Sequence, residues 1–249
     1  MTINFVHARN TASLSGPQAA LPILLANERP SSLLDVGCGN GTWLKAALDL
    51  GIADVCGVEG VKIPSDQLKV PAAMIQRKDL TIPWTLDRRF DVVICLEVAE
   101  HLAVDFAPVL IDALVKHSDR IYFSAACPGQ IGQHHVNCQW PAYWQQLFND
   151  RGYVCRDDAR WRIWDLGTVE PWYRQNMFTA RRAPAEAGKE ARVPAVIHPK
   201  MMPSVRPRMA GKAFSAHLDQ IRNGHMPTGW YLTIPFWGVL AKLKRKVRS

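Results

Sequence analysis

The sequence contains no pair of cysteines in a C-x-x-C spacing. Its six cysteines are spread through apolar segments of a 249-residue chain. Cysteine pairs in this spacing are typical of zinc sites, and a high density of cysteines in a short chain is typical of secreted proteins held together by disulfides. The pattern found here favours buried thiols in a reducing cytoplasm.

Long apolar runs are also missing. No stretch of about 18 apolar residues occurs, as a membrane-spanning helix requires. Residues 1–16 have no basic region followed by an apolar stretch, which a secretory signal would show. We therefore expect a cytoplasmic protein.

Outside the C-terminal part, the sequence has no excess of basic over acidic side chains. The chain carries 30 Lys and Arg against 22 Asp and Glu. Residues 181–249 hold 14 of the basic and 3 of the acidic side chains, which leaves 16 basic and 19 acidic side chains in residues 1–180. Because the excess belongs to the tail, it does not indicate a nucleic-acid partner for the rest of the chain.

Short apolar runs alternate with stretches of helical spacing. The strand-like runs are 32–37, 54–60, 72–80, 90–98 and 120–126, and the helix-like stretches between them are 42–50 and 104–117. This alternation predicts a doubly wound, parallel α/β sheet with helices on both faces. Beyond residue 126 we predict a helix over 141–152 and two further strands, 153–165 and 176–182, which form a hairpin at the sheet edge.

Composition divides the chain into four parts. We predict an N-terminal helical segment over 1–30 and a catalytic domain over 31–182. Residues 183–195 are rich in Ala, Pro, Glu and Lys and predict a linker, which is followed by a basic C-terminal extension over 196–249.

The extension ends in an apolar and aromatic block, 230–241, followed by a basic cluster. The block is too short to span a bilayer, but aromatic and basic side chains suit a headgroup region. We expect peripheral contact with an anionic membrane, at the inner face of the cytoplasmic membrane. Binding to an RNA backbone, or packing on the protein's own domain, are the alternatives.

A glycine-rich stretch, "LLDVGCGNGTWL" over 33–44, lies between the first predicted strand and helix. Gly37, Gly39 and Gly41 let the backbone approach a ligand closely and offer amides at a helix N-terminus. The spacing is G-x-G-x-G, not the G-x-G-x-x-G of nicotinamide-dinucleotide sites. Asp35, at the start of the turn, could hold a cationic amine or orient the loop.

Two more acids follow predicted strands. Glu59 ends the second strand, where a carboxylate can accept hydrogen bonds from both hydroxyls of a ribose. Asp79 ends the third strand and is placed to meet an adenine amino group, with Leu80 beside the ring. Open α/β sheets bind ligands at this carboxyl edge.

The segments "LLDVGCGNGTWL", "GVEG", "KDL" and "FDVVICLEVAEHL", in this order and spacing, resemble the class I S-adenosylmethionine-dependent methyltransferases. The resemblance implies a Rossmann-like sheet of seven strands with the last strand antiparallel, and S-adenosylmethionine as cofactor. It places around the cofactor Asp35, Gly37, Cys38, Gly39, Gly41, Glu59, Asp79, Leu80 and Glu97.

Candidate catalytic residues follow the fourth and fifth strands. "CLEVAEHL" brings Glu97, Glu100 and His101 to one face if a helical turn begins there, and "GQHHVNCQW" adds His134 and His135. A hydroxyl acceptor must lose its proton during methyl transfer. We predict His101, His135 and Glu100 as catalytic, and His134 as solvated.

Two carboxylates and two imidazoles could also hold a divalent cation that acidifies a hydroxyl. The E-x-x-E-H segment with a later histidine resembles the metal-dependent O-methyltransferases of ubiquinone biosynthesis and of small-RNA 3′ ends. By that resemblance, the metal ligands would be Glu97, Glu100, His101 and His135. The interval between the two histidines is short here, and metal-free acid–base catalysis is the alternative.

Five tryptophans, at 140, 144, 161, 164 and 172, fall within 33 residues. Indole faces can stack on sugar rings, although most of these side chains are expected to pack in the core or in a lid. We predict substrate contacts from Trp140, Trp164, Glu170 and Tyr173. The segment "HVN" followed by "QWPAYW" resembles one in bacterial methyltransferases of surface-polysaccharide loci.

Together these features predict an S-adenosylmethionine-dependent O-methyltransferase acting on a glycan or glycolipid precursor. Three alternatives stay open. They are a small-molecule O-methyltransferase of quinone or secondary metabolism, an RNA 2′-O-methyltransferase, and a cofactor-binding interaction protein without chemistry.

Overall fold

A computed structural model describes residues 13–27 and 29–202 of the chain. Most of the predicted C-terminal extension, including the block at 230–241, lies outside the described residues, as do residues 1–12 of the predicted N-terminal segment. None of the helices in the described ranges combines the length and the hydrophobicity that a membrane-spanning segment requires.

Seven strands and six α-helices form the described part of the chain. The strands are β1 Ser32–Val36, β2 Asp54–Glu59, β3 Ile75–Arg77, β4 Val92–Leu96, β5 Arg120–Ser124, β6 Tyr153–Arg156 and β7 Phe178–Arg182. The helices are α1 Ser15–Leu24, α2 Thr42–Asp49, α3 Ala107–His117, α4 Pro141–Asn149, α5 Asp158–Ile163 and α6 Pro171–Asn176.

The strands form one sheet in the order β3-β2-β1-β4-β5-β7-β6. β1 to β5 are mutually parallel, whereas β7 runs antiparallel to both β5 and β6. The predicted seven-stranded sheet with an antiparallel last strand is therefore confirmed. The strand order reverses between β1 and β4, and such a switch point opens a crevice at the carboxyl ends of the strands.

Helices cover both faces of the sheet, and for this reason every residue of β1 and β4 is buried. Leu34 and Val93 point to the face where Leu110 of α3 and Phe148 of α4 pack. The opposite face buries a second set of side chains from α1, α2, α5 and the same strands: Leu21, Leu33, Leu44, Val92 and Ile163.

The prediction of a strand over 153–165 is wrong beyond Arg156, because α5 begins at Asp158. Ala159 and Ile163, four residues apart, are both fully buried, which is the spacing of one helix face. The Asp157 carboxylate accepts a hydrogen bond from Trp161 Nε1 at 2.9 Å, across the first turn. The strand predicted over 72–80 is also shorter, since only Ile75–Arg77 pairs with β2.

The segment predicted as a linker, 183–195, packs on α4 and β6. Glu190 Oε1 accepts hydrogen bonds from Gln145 Nε2, Asn149 Nδ2 and the Cys155 amide, at 3.0, 2.6 and 3.0 Å. Val193, three residues on, is buried in the core. One carboxylate thus fastens this segment to the edge of the sheet.

Replacing Glu190 by glutamine should lower the melting temperature at neutral pH and should lower it by a smaller amount near pH 3. Burial alone would raise the pKa of Glu190, but the hydrogen bonds from Cys155, Asn149 and Gln145 lower it to about 2. A depressed carboxyl pKa stabilises the fold above its ordinary value of 4.5, and this contribution disappears as the pH falls toward 2. Thermal unfolding at both pH values checks this, with exposed Glu186→Gln as control. An equal loss at pH 7 and pH 3 would contradict it.

Candidate active site

The loop between β1 and α2 is built on glycines with left-handed backbone. Gly37, Gly39 and Gly41 have φ of 76°, 53° and 83°. A Cβ on Gly37 would overlap the Val98 side chain, with Val98 Cγ1 only 2.8 Å away. The Gly37 amide donates to the Val58 carbonyl at 2.7 Å, which ties the loop to β2. Both the φ of Gly37 and the contact with Val98 therefore disfavour a side chain at this position.

Glu59, at the end of β2, holds the loop from the other side. Its Oε2 accepts a hydrogen bond from the Gly39 amide and its Oε1 from the Val61 amide, both at 2.8 Å. Each carboxylate oxygen has a second lone pair, so Glu59 can also accept hydrogen bonds from a ligand's hydroxyls. The residue thus shapes the site and faces the cavity described below.

Asp35, in β1, is 3% exposed, and its Oδ2 has no hydrogen-bond partner among the described residues. Burial raises the pKa of Asp35 well above its ordinary value, and the negative charge of Glu59 raises it further. An unpaired buried carboxylate is costly unless a cation meets it. Asp35 therefore fits a ligand that brings a positive charge.

At the end of β3, Asp79 Oδ1 accepts hydrogen bonds from the amide and the hydroxyl of Thr81, at 2.9 and 2.6 Å. These bonds lower the pKa of Asp79, so it is ionised at neutral pH. Leu80 beside it is buried.

A cavity of about 650 Å³ opens at this edge of the sheet. Eight of the nine predicted cofactor residues line it: Asp35, Gly37, Cys38, Gly39, Glu59, Asp79, Leu80 and Glu97. The ninth, Gly41, is the N-cap of α2, directly behind Asn40 in the lining. His101 and His135 line the cavity too, together with Glu100.

Glu97 lies apart from the short 3₁₀ turn Ala99–His101 and has a φ of 57°. Its carboxylate accepts hydrogen bonds from Gln130 Nε2 at 2.9 Å and Asn176 Nδ2 at 3.1 Å. Burial raises the pKa of Glu97, and the hydrogen bond from Asn176 opposes the rise. The 3₁₀ turn begins after Glu97, so the continuous helical face expected from Glu97 to His101 does not form.

His101 and His135 lie edge to face, with ring centroids 5.1 Å apart. Nδ1 of His101 faces the His134 carbonyl at 3.4 Å, and Nδ1 of His135 faces the Gln130 carbonyl at 3.1 Å. Burial lowers the pKa of both rings, that of His101 to about 4, so both are neutral near pH 7. Because a carbonyl only accepts, the contact with Gln130 places the proton of His135 on Nδ1 and leaves Nε2 as its basic nitrogen.

Glu100 is fully buried, and neither of its carboxylate oxygens has a hydrogen-bond partner among the described residues. Burial raises the pKa of Glu100 well above the ordinary value, and Glu97 raises it further. Glu100 Oε1 lies 4.0 Å from His135 Nε2. The two groups are close enough for the protonation of one to change that of the other.

The structure brings one of the four predicted substrate residues to the cavity. Tyr173 lines it and packs edge to face on Trp43 at 5.2 Å, and Trp172 lines it as well. Three others lie outside the lining. Trp164 packs between Trp161 and His198, the Glu170 carboxylate lies against Gly16, and Trp140 is 40% exposed at the start of α4.

Gln130 and Asn176 are site residues that the sequence did not reveal. Both are buried and both bind the Glu97 carboxylate. The sequence offered one indication for Gln130, namely that it follows β5 at the carboxyl edge of the sheet. Asn176 ends α6, in a region where the sequence predicted only the start of a strand.

A sheet in this order, with a glycine loop after its first strand and acids at the ends of the next two, defines the fold of a class I S-adenosylmethionine-dependent methyltransferase. The chain belongs to the family described as methyltransferase domain, whose model matches residues 6–152, more than half of the chain. No curated protein sequence matches the chain significantly.

Two solved structures illustrate the likeness. DesVI from Streptomyces venezuelae is 15% identical with a TM-score of 0.53, and the match covers 68% of this chain and 92% of that chain. The sugar N-methyltransferase KedS8 from a Streptoalloteichus species is 16% identical with a TM-score of 0.53, over 71% and 90% of the two chains. At such identities the likeness shows the fold alone.

The residues present fit S-adenosylmethionine, the cofactor of this class. Asp35 offers a buried carboxylate oxygen without a partner among the described residues, and the glycine loop admits close approach of a ligand. Asp35 would hold the cationic amino group, Glu59 the ribose, and Asp79 with Leu80 the adenine. Glu97 lies toward the histidine end of the lining.

Replacing Asp35 by asparagine should weaken the binding of S-adenosylhomocysteine by about 10- to 100-fold, since a charge-assisted hydrogen bond contributes roughly 1.5–3 kcal/mol. Wild-type affinity should also fall as the pH is lowered, because Asp35, with its raised pKa, takes up a proton first. The variant should lose this component of the pH dependence. Calorimetry across pH checks both points, with exposed Asp66→Asn as control.

The same change should stabilise the cofactor-free protein at neutral pH. A raised carboxyl pKa means that stability falls as the pH rises above 3.8, and asparagine removes this cost. A variant with wild-type affinity and an unchanged melting temperature would contradict the assignment of Asp35.

Proposed function

We propose that this methyltransferase acts on a hydroxyl group of a glycan or glycolipid precursor. The observation that carries the proposal is the pair of neutral imidazoles, His101 and His135, which both line the cavity. A nitrogen acceptor that is already basic has less need of such a base, whereas a hydroxyl must lose its proton.

The bound cofactor supplies a methyl group on a positively charged sulfur. One of the two imidazoles, His101 or His135, accepts the proton of the acceptor hydroxyl as the oxygen takes the methyl group. When His135 receives a proton, its positive charge lies 4.0 Å from Glu100 Oε1 and favours the ionised carboxylate. The buried pair can therefore share the proton that leaves the acceptor.

The lining around these histidines favours a neutral acceptor. Trp172 and Tyr173 line the cavity with aromatic surface, and Gln133 lines it with an amide side chain. Among the described lining residues, the only Lys and Arg are Arg77 and Lys78, at the β3 end near the expected adenine position. Aromatic and amide groups suit a sugar ring, whereas RNA would need cations for its phosphates.

Label transfer tests the substrate class. Labelled methyl from S-adenosylmethionine is offered with a lysate of the source organism, and the label is partitioned among lipid-extractable glycan, RNA, protein and small molecules. Label in the glycan fraction supports the proposal. Label in the RNA fraction would instead favour an RNA 2′-O-methyltransferase, and label in the small-molecule fraction would favour a small-molecule O-methyltransferase. Cofactor binding without label in any fraction would favour an interaction protein without chemistry.

We further propose peripheral attachment to an anionic membrane through the basic C-terminal extension. The support is the sequence of 230–249 alone, which lies outside the described residues. Vesicles with anionic lipids should float the full chain and leave behind a chain truncated after Thr228. Equal flotation of both would overturn the attachment.

A metal-dependent reaction is a second candidate because the ligand atoms of Glu100, His101 and His135 all lie within 4.8 Å of one another. Three of the four predicted metal ligands are thus brought together. The fourth, Glu97, is engaged by Gln130 and Asn176. Transfer that stops with a chelator and returns with Mg²⁺, Mn²⁺ or Zn²⁺ would establish the metal route, and transfer unaffected by the chelator would refute it.

A further inference from the structure

Gln130 connects three parts of the active site. It is 7% exposed, in the loop after β5. Its Nε2 donates to Glu97 Oε2 at 2.9 Å, and its Oε1 accepts from Asn176 Nδ2 at 3.0 Å. Its backbone carbonyl accepts from His135 Nδ1 at 3.1 Å. Gln130 thus contacts the Glu97 carboxylate, Asn176 at the end of α6 and the His135 ring.

The orientation of the Gln130 amide is set by its neighbours. Asn176 Nδ2 donates both to Glu97 and to Gln130 Oε1. A flipped Gln130 would place its NH₂ group against that of Asn176 and its oxygen against the Glu97 carboxylate, losing both bonds. The side chain therefore has one orientation, and it fixes the start of the loop that carries His135.

His135 depends on this loop for its proton position. His135 lies five positions after Gln130, whose carbonyl binds its ring, and the four residues between them are neither helix nor strand. The ring also packs directly on Gly132, where a Cβ would overlap it. The ring is thus held by the loop backbone, and the loop backbone is anchored by Gln130.

We propose that Gln130 is a positioning residue that holds His135 in the Nδ1–H tautomer, so that Nε2, which lies 4.0 Å from Glu100 Oε1, is its basic nitrogen. A hydrogen bond at one ring nitrogen decides which nitrogen carries the proton. The importance of this for methyl transfer rests on the proposed function, but the tautomer itself can be measured without any acceptor.

The test is ¹⁵N NMR of histidine-labelled full-length protein, with the His135 signals assigned by comparison with His135→Gln. Wild type should show the Nδ1–H form. Gln130→Met keeps the length of the side chain but removes its hydrogen bonds, and it should give a mixture of tautomers. Asn176→Ser removes the same bonds from the other side and should act in the same direction. Gln146→Met, on the exposed face of α4, is the matched control and should match wild type.

The outcomes separate the two proposals. If Gln130→Met and Asn176→Ser are folded by circular dichroism and keep the wild-type tautomer, or if wild type shows Nε2–H, the positioning role is overturned. Once the labelled fraction is known, Gln130→Met should lower kcat at least tenfold with a smaller change in the acceptor's KM. A shifted tautomer in the variants, together with no methyl transfer by wild type, would overturn the proposed function and support the role of Gln130.

Discussion

Replacing Gly37 by alanine should reduce the affinity for S-adenosylhomocysteine by at least about 100-fold. A Cβ at this position meets the Val98 side chain, and the φ of 76° disfavours any residue other than glycine. To relieve the overlap, the loop between β1 and α2 must move away from Val98. This movement displaces the backbone that is expected to contact the cofactor. Isothermal titration calorimetry measures the loss directly.

Gly51 provides a matched control for this change. It also has a left-handed backbone, with a φ of 95°, but a Cβ there meets nothing within 4 Å. Gly51→Ala should therefore cost only backbone strain and leave the affinity unchanged. Adding Val98→Ala to Gly37→Ala should restore part of the affinity by removing the overlapping methyl groups. Wild-type affinity in the Gly37→Ala protein would show that the loop does not cradle the cofactor.

Replacing His101 by alanine should lower the rate of methyl transfer by about 10²- to 10⁴-fold, the usual contribution of a general base. The affinity for S-adenosylhomocysteine should stay within about twofold, since the predicted contacts to the cofactor come from other residues. His135→Ala should follow the same pattern. The rate is measured as label entering the fraction that wild type labels.

His134 is the control, since it is exposed and directly precedes His135. Its φ of 51° is best kept by asparagine, so the variant is His134→Asn. This protein should transfer methyl at nearly the wild-type rate. Wild-type turnover in His101→Ala and His135→Ala would remove both imidazoles from the mechanism.

The cofactor side of the site could be predicted from the sequence because its signals are local. A strand, a glycine turn and a helix follow one another within 32–49, and each acid lies within two residues of the end of its own strand. Parallel strands bring such ends to one edge, so spacing along the chain was enough to place Asp35, Glu59 and Asp79 together.

The acceptor side could not be predicted in the same way, because it is assembled from distant segments. Gln130 and Asn176 meet at Glu97 across separations of 33 and 79 residues. The sequence alone does not distinguish a Gln or Asn whose side chain is buried from one whose side chain is exposed to solvent. The cluster of tryptophans predicts acceptor contacts for Trp140 and Trp164, but Trp140 is exposed at the start of α4 and Trp164 packs between Trp161 and His198.

The position of β7 between β5 and β6 has a consequence for synthesis of the chain. Until Phe178–Arg182 leaves the ribosome, β5 has no partner on its outer edge, and an open edge can pair with other chains. Asn176, which holds Glu97, emerges only two residues earlier. A nascent chain that already contains the whole glycine loop therefore still lacks a closed sheet and a finished reaction centre, and both are completed by the same short stretch near residue 180.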